Sequence, residues 1–204
     1  PWRKERATYR YARKLHPLLR SLLLLSLITA TNAQAAQKID LIIDTDPGAD
    51  DVVALLFALA SPDELNVRAL TTVAGNVRLD KTSRNARLAR EWAGREEVPV
   101  YAGAPKPLMR TPIYAEDIHG KEGLSGIAVH EPKQGLAKGS AIAYLIDTRK
   151  SAEPHSITIA MLGPQTNLAL ALIQQPELRQ EIASVVFMGG GLGLDSRYGR
   201  GNIT

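Results

Sequence analysis

The chain has 204 residues, 45% of them hydrophobic, which suits one globular domain with a well-buried core. It has no cysteine, which excludes a disulfide framework, and its 5% aromatic content argues against a surface that stacks sugars or single-stranded nucleic acid. The net charge of +4 comes from residues 1–36, where Arg3, Lys4, Arg6, Arg10, Arg13, Lys14 and Arg20 face only Glu5. The other 168 residues hold 18 basic against 20 acidic side chains, and no basic patch points to nucleic acid.

That basic start precedes the apolar run LLLLSLITA (22–30) and the small-residue pattern Ala33-Gln34-Ala35. The layout is that of a secretory signal peptide over residues 1–36, cleaved near Ala33–Ala35. The apolar run is shorter than the ~20 residues a transmembrane helix needs, although an N-terminal membrane anchor and an amphipathic tail are the other ways to read it. Export of this kind predicts a periplasmic or secreted protein with no stable membrane insertion after cleavage.

From residue 38 apolar runs alternate with helical patterns. KIDLIIDT (38–45) reads as a buried strand and DDVVALLFALAS (50–61) as a helix with aspartates in its first turn. LNVRALTTVAG (65–75) is a second strand. LDKTSRNARLAREWAG (79–94) is an amphipathic helix with Gly94 placed to end it. VPVYAG (98–103) is a short strand, and 104–138 is irregular, with four prolines in a loop long enough to be functional. GSAIAYLIDTRKSA (139–152) is a helix, HSITIAML (155–162) a strand, QTNLALALIQQ (165–175) a helix and IASVVFMGG (182–190) a strand. This alternation predicts an α/β fold: a Rossmann-like, doubly wound, mostly parallel sheet with helices on both faces over residues 37–204. Ligands of such sheets bind beyond the carboxyl ends of the strands.

IIDTDPGADD (42–51) places Asp44, Asp46, Asp50 and Asp51 at such an end. Two carboxylates ~4 Å apart repel by about 4 kcal/mol at an effective dielectric of ~20. A helix N-terminus favours each negative charge by only ~0.3–1 kcal/mol, which can explain one capping aspartate and not four. A divalent cation held by oxygen ligands, Ca²⁺ or Mg²⁺, would remove the repulsion.

DTDPGADD resembles the D-x-D-x-G-x-D-D signature of the inosine–uridine-type nucleoside hydrolases. TTVAGN (71–76), RNA (84–86), VPVYAGAPKPL (98–108), IHGKEGL (118–124), LGPQTNLA (162–169) and VVFMGGG (185–191) resemble further segments of that family, in order. The resemblance implies hydrolysis of the N-glycosidic bond of ribonucleosides to free base and ribose, with a Ca²⁺-bound water as nucleophile. It implies Asp46 as catalytic base and metal ligand, Asp51 as metal ligand and Leu162 as a ligand through its backbone carbonyl. It further implies Asp50, Asn76, His119, Met188 and Asn202 as contacts to the nucleoside, and Asp44 as support behind the metal ligands. A homo-oligomer, dimer or tetramer, is expected from the same resemblance.

Each contact has a plainer alternative: a turn at Asn76, a surface loop at His119, core packing at Met188. The glycines 189–191 are a turn or a phosphate cradle, and no evident helix follows to make a dinucleotide site. His130 and His155 are expected on the surface. The family's last metal-binding aspartate, and a histidine beside it that protonates the leaving base, have no counterpart in this sequence. The chain is therefore expected to be a C-terminally truncated piece that is poorly active by itself.

Two other functions fit part of the pattern. A haloacid dehalogenase-type phosphohydrolase would use Asp44 as nucleophile and Asp46 as acid/base. That pattern expects Thr or Val at position 48, which is Gly, and a later acidic pair that is missing. An exported nucleoside-binding protein would keep the site without turnover.

Overall fold

The computed structural model describes residues 38–189, and both the segment expected to be a signal peptide (1–36) and Asn202 lie outside them. The five expected strands form, now bounded as β1 (Ile39–Thr45), β2 (Leu65–Thr72), β3 (Val100–Ala102), β4 (Ile157–Met161) and β5 (Ile182–Phe187). They pair as one parallel sheet in the order β3-β2-β1-β4-β5. The helices between them are α1 (Ala49–Leu59), α2 (Leu79–Trp92), α3 (Glu116–His119), α4 (Ala141–Asp147) and α5 (Thr166–Gln174).

The pleat of β1 sorts the core into two layers. Leu41 and Ile43 pack with Val52, Leu55 and Leu59 of α1 and with Ala86, Leu88 and Ala89 of α2. Ile42, on the opposite face, packs with Ile157, Ile159 and Met161 of β4, Leu145 of α4 and Leu168 of α5. A doubly wound α/β sheet is thus observed, with a helical layer on each face. All the described residues belong to one compact unit that begins at Lys38.

Three boundaries depart from the sequence pattern. β2 ends at Thr72, and Val73–Gly75 leave the ladder, although Val73 N–H still donates to Thr45 O at 3.1 Å and Ala74 N–H to Ala104 O at 3.0 Å. The irregular stretch 104–138 contains α3, a single turn too short for any periodicity to announce. A 3₁₀ turn, Pro176–Gln180, precedes β5, where proline starts the turn without needing its missing N–H. Gly94 does follow α2 in the left-handed region, at φ 64°. No described helix is long and apolar enough to cross a membrane.

β2 and β3 lie on one side of β1, while β4 and β5 lie on the other. The crossovers leave β1 and β4 in opposite senses, and a crevice opens at their carboxyl ends. Asp46 is the residue that follows β1 into that crevice.

Candidate active site

Three of the four clustered aspartates are buried and one is not. Asp44, Asp46 and Asp51 are 1%, 5% and 6% exposed. The Asp50 side chain is 72% exposed, at the rim, with Oδ1 3.8 Å from His119 Nδ1. The adjacent pair Asp50 and Asp51 thus divides between the rim and the interior, while Asp44 and Asp46 are both buried.

Asn76 ties the buried pair together. Its backbone N–H donates to Asp46 Oδ2 at 2.7 Å, and its Nδ2 donates to Asp46 O at 3.1 Å and to Asp51 Oδ2 at 3.0 Å. Asp51 Oδ2 also accepts Gly48 N–H at 2.9 Å, so one oxygen does cap α1. Oδ1 of both aspartates stays clear of these donors.

Two glycines make room for Asp46. A Cβ on Gly75 would lie 2.0 Å from Asp46 Oδ2, and one on Gly163 would lie 2.3 Å from Oδ1. The carboxylate therefore sits between the loops that follow β2 and β4. Leu162, at the end of β4, donates its N–H to Asp44 O at 2.8 Å, which holds the residue before Gly163 against β1.

Asp44 lies beneath. Its Oδ1 accepts from Asn167 Nδ2 at 3.3 Å, while Oδ2 has no hydrogen-bond partner among the described residues. Asn167 also donates to Thr72 O at 3.0 Å and accepts Ala104 N–H at 2.8 Å. This position behind the sheet end leaves Asp44 no access to a substrate, which argues against a phosphohydrolase nucleophile there.

Burial shifts all three acids upward. Desolvation pushes Asp46 up to about 8, helped by the charge of Asp51 and opposed by the Asn76 N–H. It pushes Asp44 up to about 7 against the Asn167 bond. It pushes Asp51 up to about 6, with the Gly48 N–H pulling the other way. Carboxylates held this way are poised to exchange protons for a cation.

The donors present fit an oxygen-bound divalent cation. Asp46 and Asp51 would hold it, with the Leu162 carbonyl, while Asp44 lies beneath with its Oδ2 unpartnered among the described residues. Among the described residues no group of three or more acidic, His or Cys side chains converges as a metal cluster.

The other expected contacts surround this centre. His119 ends α3 with its ring largely covered, and Nδ1 accepts Ala49 N–H at 3.4 Å. Ala115 N–H donates to Asn76 O at 2.9 Å, which anchors the start of α3 to the same residue that joins the aspartates. Met188 follows β5, its N–H donating to Met161 O at 2.9 Å, and its surface is 57% exposed. His130 pairs at the surface with Glu91, at 2.9 Å.

A family model described as inosine-uridine preferring nucleoside hydrolase matches residues 41–204. The chain belongs to that family. A pyrimidine-specific ribonucleoside hydrolase, RihA, from Salmonella schwarzengrund is 48% identical over 155 residues, covering 76% of this chain and 49% of the relative. Among solved structures, a plant nucleoside hydrolase, PpNRh1, superposes with a TM-score of 0.72 at 37% identity, over 78% of this chain and 50% of that one. A purine-preferring ribonucleoside hydrolase from Gardnerella vaginalis gives 0.72 at 30% identity, over 80% and 53%. The chain thus spans about half the length of the relatives it matches.

Two buried amides that bond to the loops of the site carry no individual role in the sequence pattern. Asn167 lies in LGPQTNLA and Asn85 in RNA, both family-like segments. The signal that could have found them is a polar amide among the apolar positions of a helix, since both are 0% exposed.

Proposed function

We propose that the protein hydrolyses the N-glycosidic bond of ribonucleosides to free base and ribose, using a calcium site built on Asp46 and Asp51. The observation that carries this is the pair of buried aspartates joined by Asn76 at the sheet's switch point, in a chain of the nucleoside hydrolase family. Relatives are named for pyrimidine and for purine substrates, so the proposal concerns ribonucleosides as a class.

Calcium, when bound, supplies positive charge that offsets the crowded carboxylates and acidifies water next to the sugar. Asp46, held in a fixed orientation between Gly75 and Gly163, takes the proton of the water that attacks the anomeric carbon. The bond to the base breaks through an oxocarbenium-like sugar, and the nearby carboxylates favour that positive charge. Asp50, at the rim, and Asn76 Oδ1, not used by its own donor bonds, accept from ribose hydroxyls. His119 closes the side where α3 meets the aspartate loop. Met188 and Asn202 contact the nucleoside, and Asp44 supports the metal ligands from behind. Export through the N-terminal segment and assembly as a homo-oligomer belong to the same proposal.

Chromatography of a nucleoside incubated with the whole protein separates this from a binding protein. Free base and ribose in equal amounts, lost in Asp46→Asn, are expected. Tight calorimetric binding of the nucleoside with no free base would instead make it a binder.

A further inference from the structure

Residue 85 is a fully buried asparagine in the interior of α2, where an unpaired amide would be costly. Its four bonds explain it. Nδ2 donates to Pro47 O at 3.0 Å and to Glu122 O at 2.9 Å. Oδ1 accepts from Arg84 Nη2 at 3.1 Å and from Nε at 3.3 Å. Arginine can only donate, so this contact fixes which end of the amide faces the two carbonyls.

The two carbonyls belong to different parts of the site. Pro47 follows Asp46 in the aspartate loop, and Glu122 lies three residues beyond His119. Arg84 also holds Glu122, through Oε2 at 2.7 Å and through O at 3.1 Å, and Lys81 Nζ lies 3.3 Å from Glu122 Oε1. Gly123 presses on the same amide: a Cβ there would lie 2.7 Å from Asn85 Nδ2, and its φ is +79°. At the other end of this short segment His119 meets Ala49 N–H. The segment 119–123 is therefore pinned to 47–49 at both ends, by His119 and through Asn85.

We propose that Asn85 is a positioning residue that locks the His119 segment onto the aspartate loop and so sets nucleoside affinity through His119. The proposal rests on the reading that His119 faces the nucleoside. It gives the R-N-A segment of α2 a role in the site, in which Asn85 carries the bridge and Arg84 orients it. A packing role alone would make Asn85 and His119 independent, whereas a bridge makes their effects share one pathway.

The test is a double-mutant cycle on the whole protein, with Asn85→Ala, His119→Ala and both together. Asn85→Ala is expected to raise KM about tenfold with kcat within about threefold, and to change KM less than about twofold when His119 is already alanine. Amide hydrogen exchange over 117–124 is expected to quicken in Asn85→Ala without any substrate. Arg84→Ala, at a more exposed position, is expected to shift both readouts the same way and replaces Asn85→Ala in the cycle if that variant does not fold. An equal KM rise in both backgrounds, or an unchanged KM with quickened exchange, would overturn the proposal. Wild-type nucleoside turnover is the separate control on the reading of the site, and the exchange measurement reports the bridge independently of it.

Discussion

Asp46 Oδ2 occupies the space that a side chain at Gly75 would need, with only 2.0 Å between that oxygen and the Cβ position. Gly75→Ala must therefore move either the β2 loop or the carboxylate. Because positional errors of about 1 Å cost on the order of a hundredfold in rate, kcat/KM for nucleosides is expected to fall by about that much. Gly163→Ala, pressing on Oδ1, should act alike. A variant crystal structure with Asp46 unmoved and activity retained would contradict this.

The pH dependence follows from the three raised carboxylates. In the unfolded chain they lose their protons near 3.8, while in the fold they keep them until about 6, 7 and 8. Between those limits the native state binds more protons, so stability of the calcium-free protein falls as pH rises from about 4 through about 8. Calcium, which favours the ionised forms, should raise Tm more at pH 8 than at pH 5. Thermal scans with chelator and with calcium at both values check the sign, and a calcium-free Tm that climbs over this range would refute it.

Asn167 is bonded at once to β1, β2 and the chain after β3, through Asp44 Oδ1, Thr72 O and Ala104 N–H. Asn167→Ala strands these groups in a dry interior, at a cost of about 2–3 kcal/mol in unfolding free energy. Asn167→Asp should cost more, since it faces Asp44 and the Thr72 carbonyl with a second carboxylate. Urea denaturation with an unchanged slope is the measurement.

Leu55 and Phe57 are two residues apart on α1, yet one is fully buried and the other 75% exposed. Leu55→Ala should destabilise by about 3 kcal/mol, from lost transfer energy and the cavity left behind. Phe57→Ala should change stability by less than about 0.5 kcal/mol unless a partner covers it. Equal losses at the two positions would show that α1 is packed differently.

The sheet was legible because its strands are nearly continuous apolar runs and its helices repeat at helical spacing. The end of β2 was not, since Thr72–Gly75 keeps an extended, apolar pattern while its job changes from ladder to site wall. α3 escaped because one turn held by Ala115 and Asn76 leaves no periodic trace. At the site, charge crowding pointed to the four aspartates together, and only the family resemblance singled out Asp46 and Asp51. Local pattern could not tell that Asp50 faces water while Asp51 turns inward, which depends on the phase at which α1 leaves Gly48. Asn85 and Asn167 were hidden for a further reason: the acceptors of their Nδ2 groups lie 37 to 123 residues away, and only the folded chain brings them together.

The most direct test of nucleoside hydrolysis at this site is base release by the whole protein, followed chromatographically with uridine and inosine. Wild type with calcium should yield free base and ribose without phosphate. Chelation or Asp46→Asn should lower the rate by at least about a hundredfold. Base release that persists undiminished in Asp46→Asn, or none from wild type with either nucleoside, would contradict it.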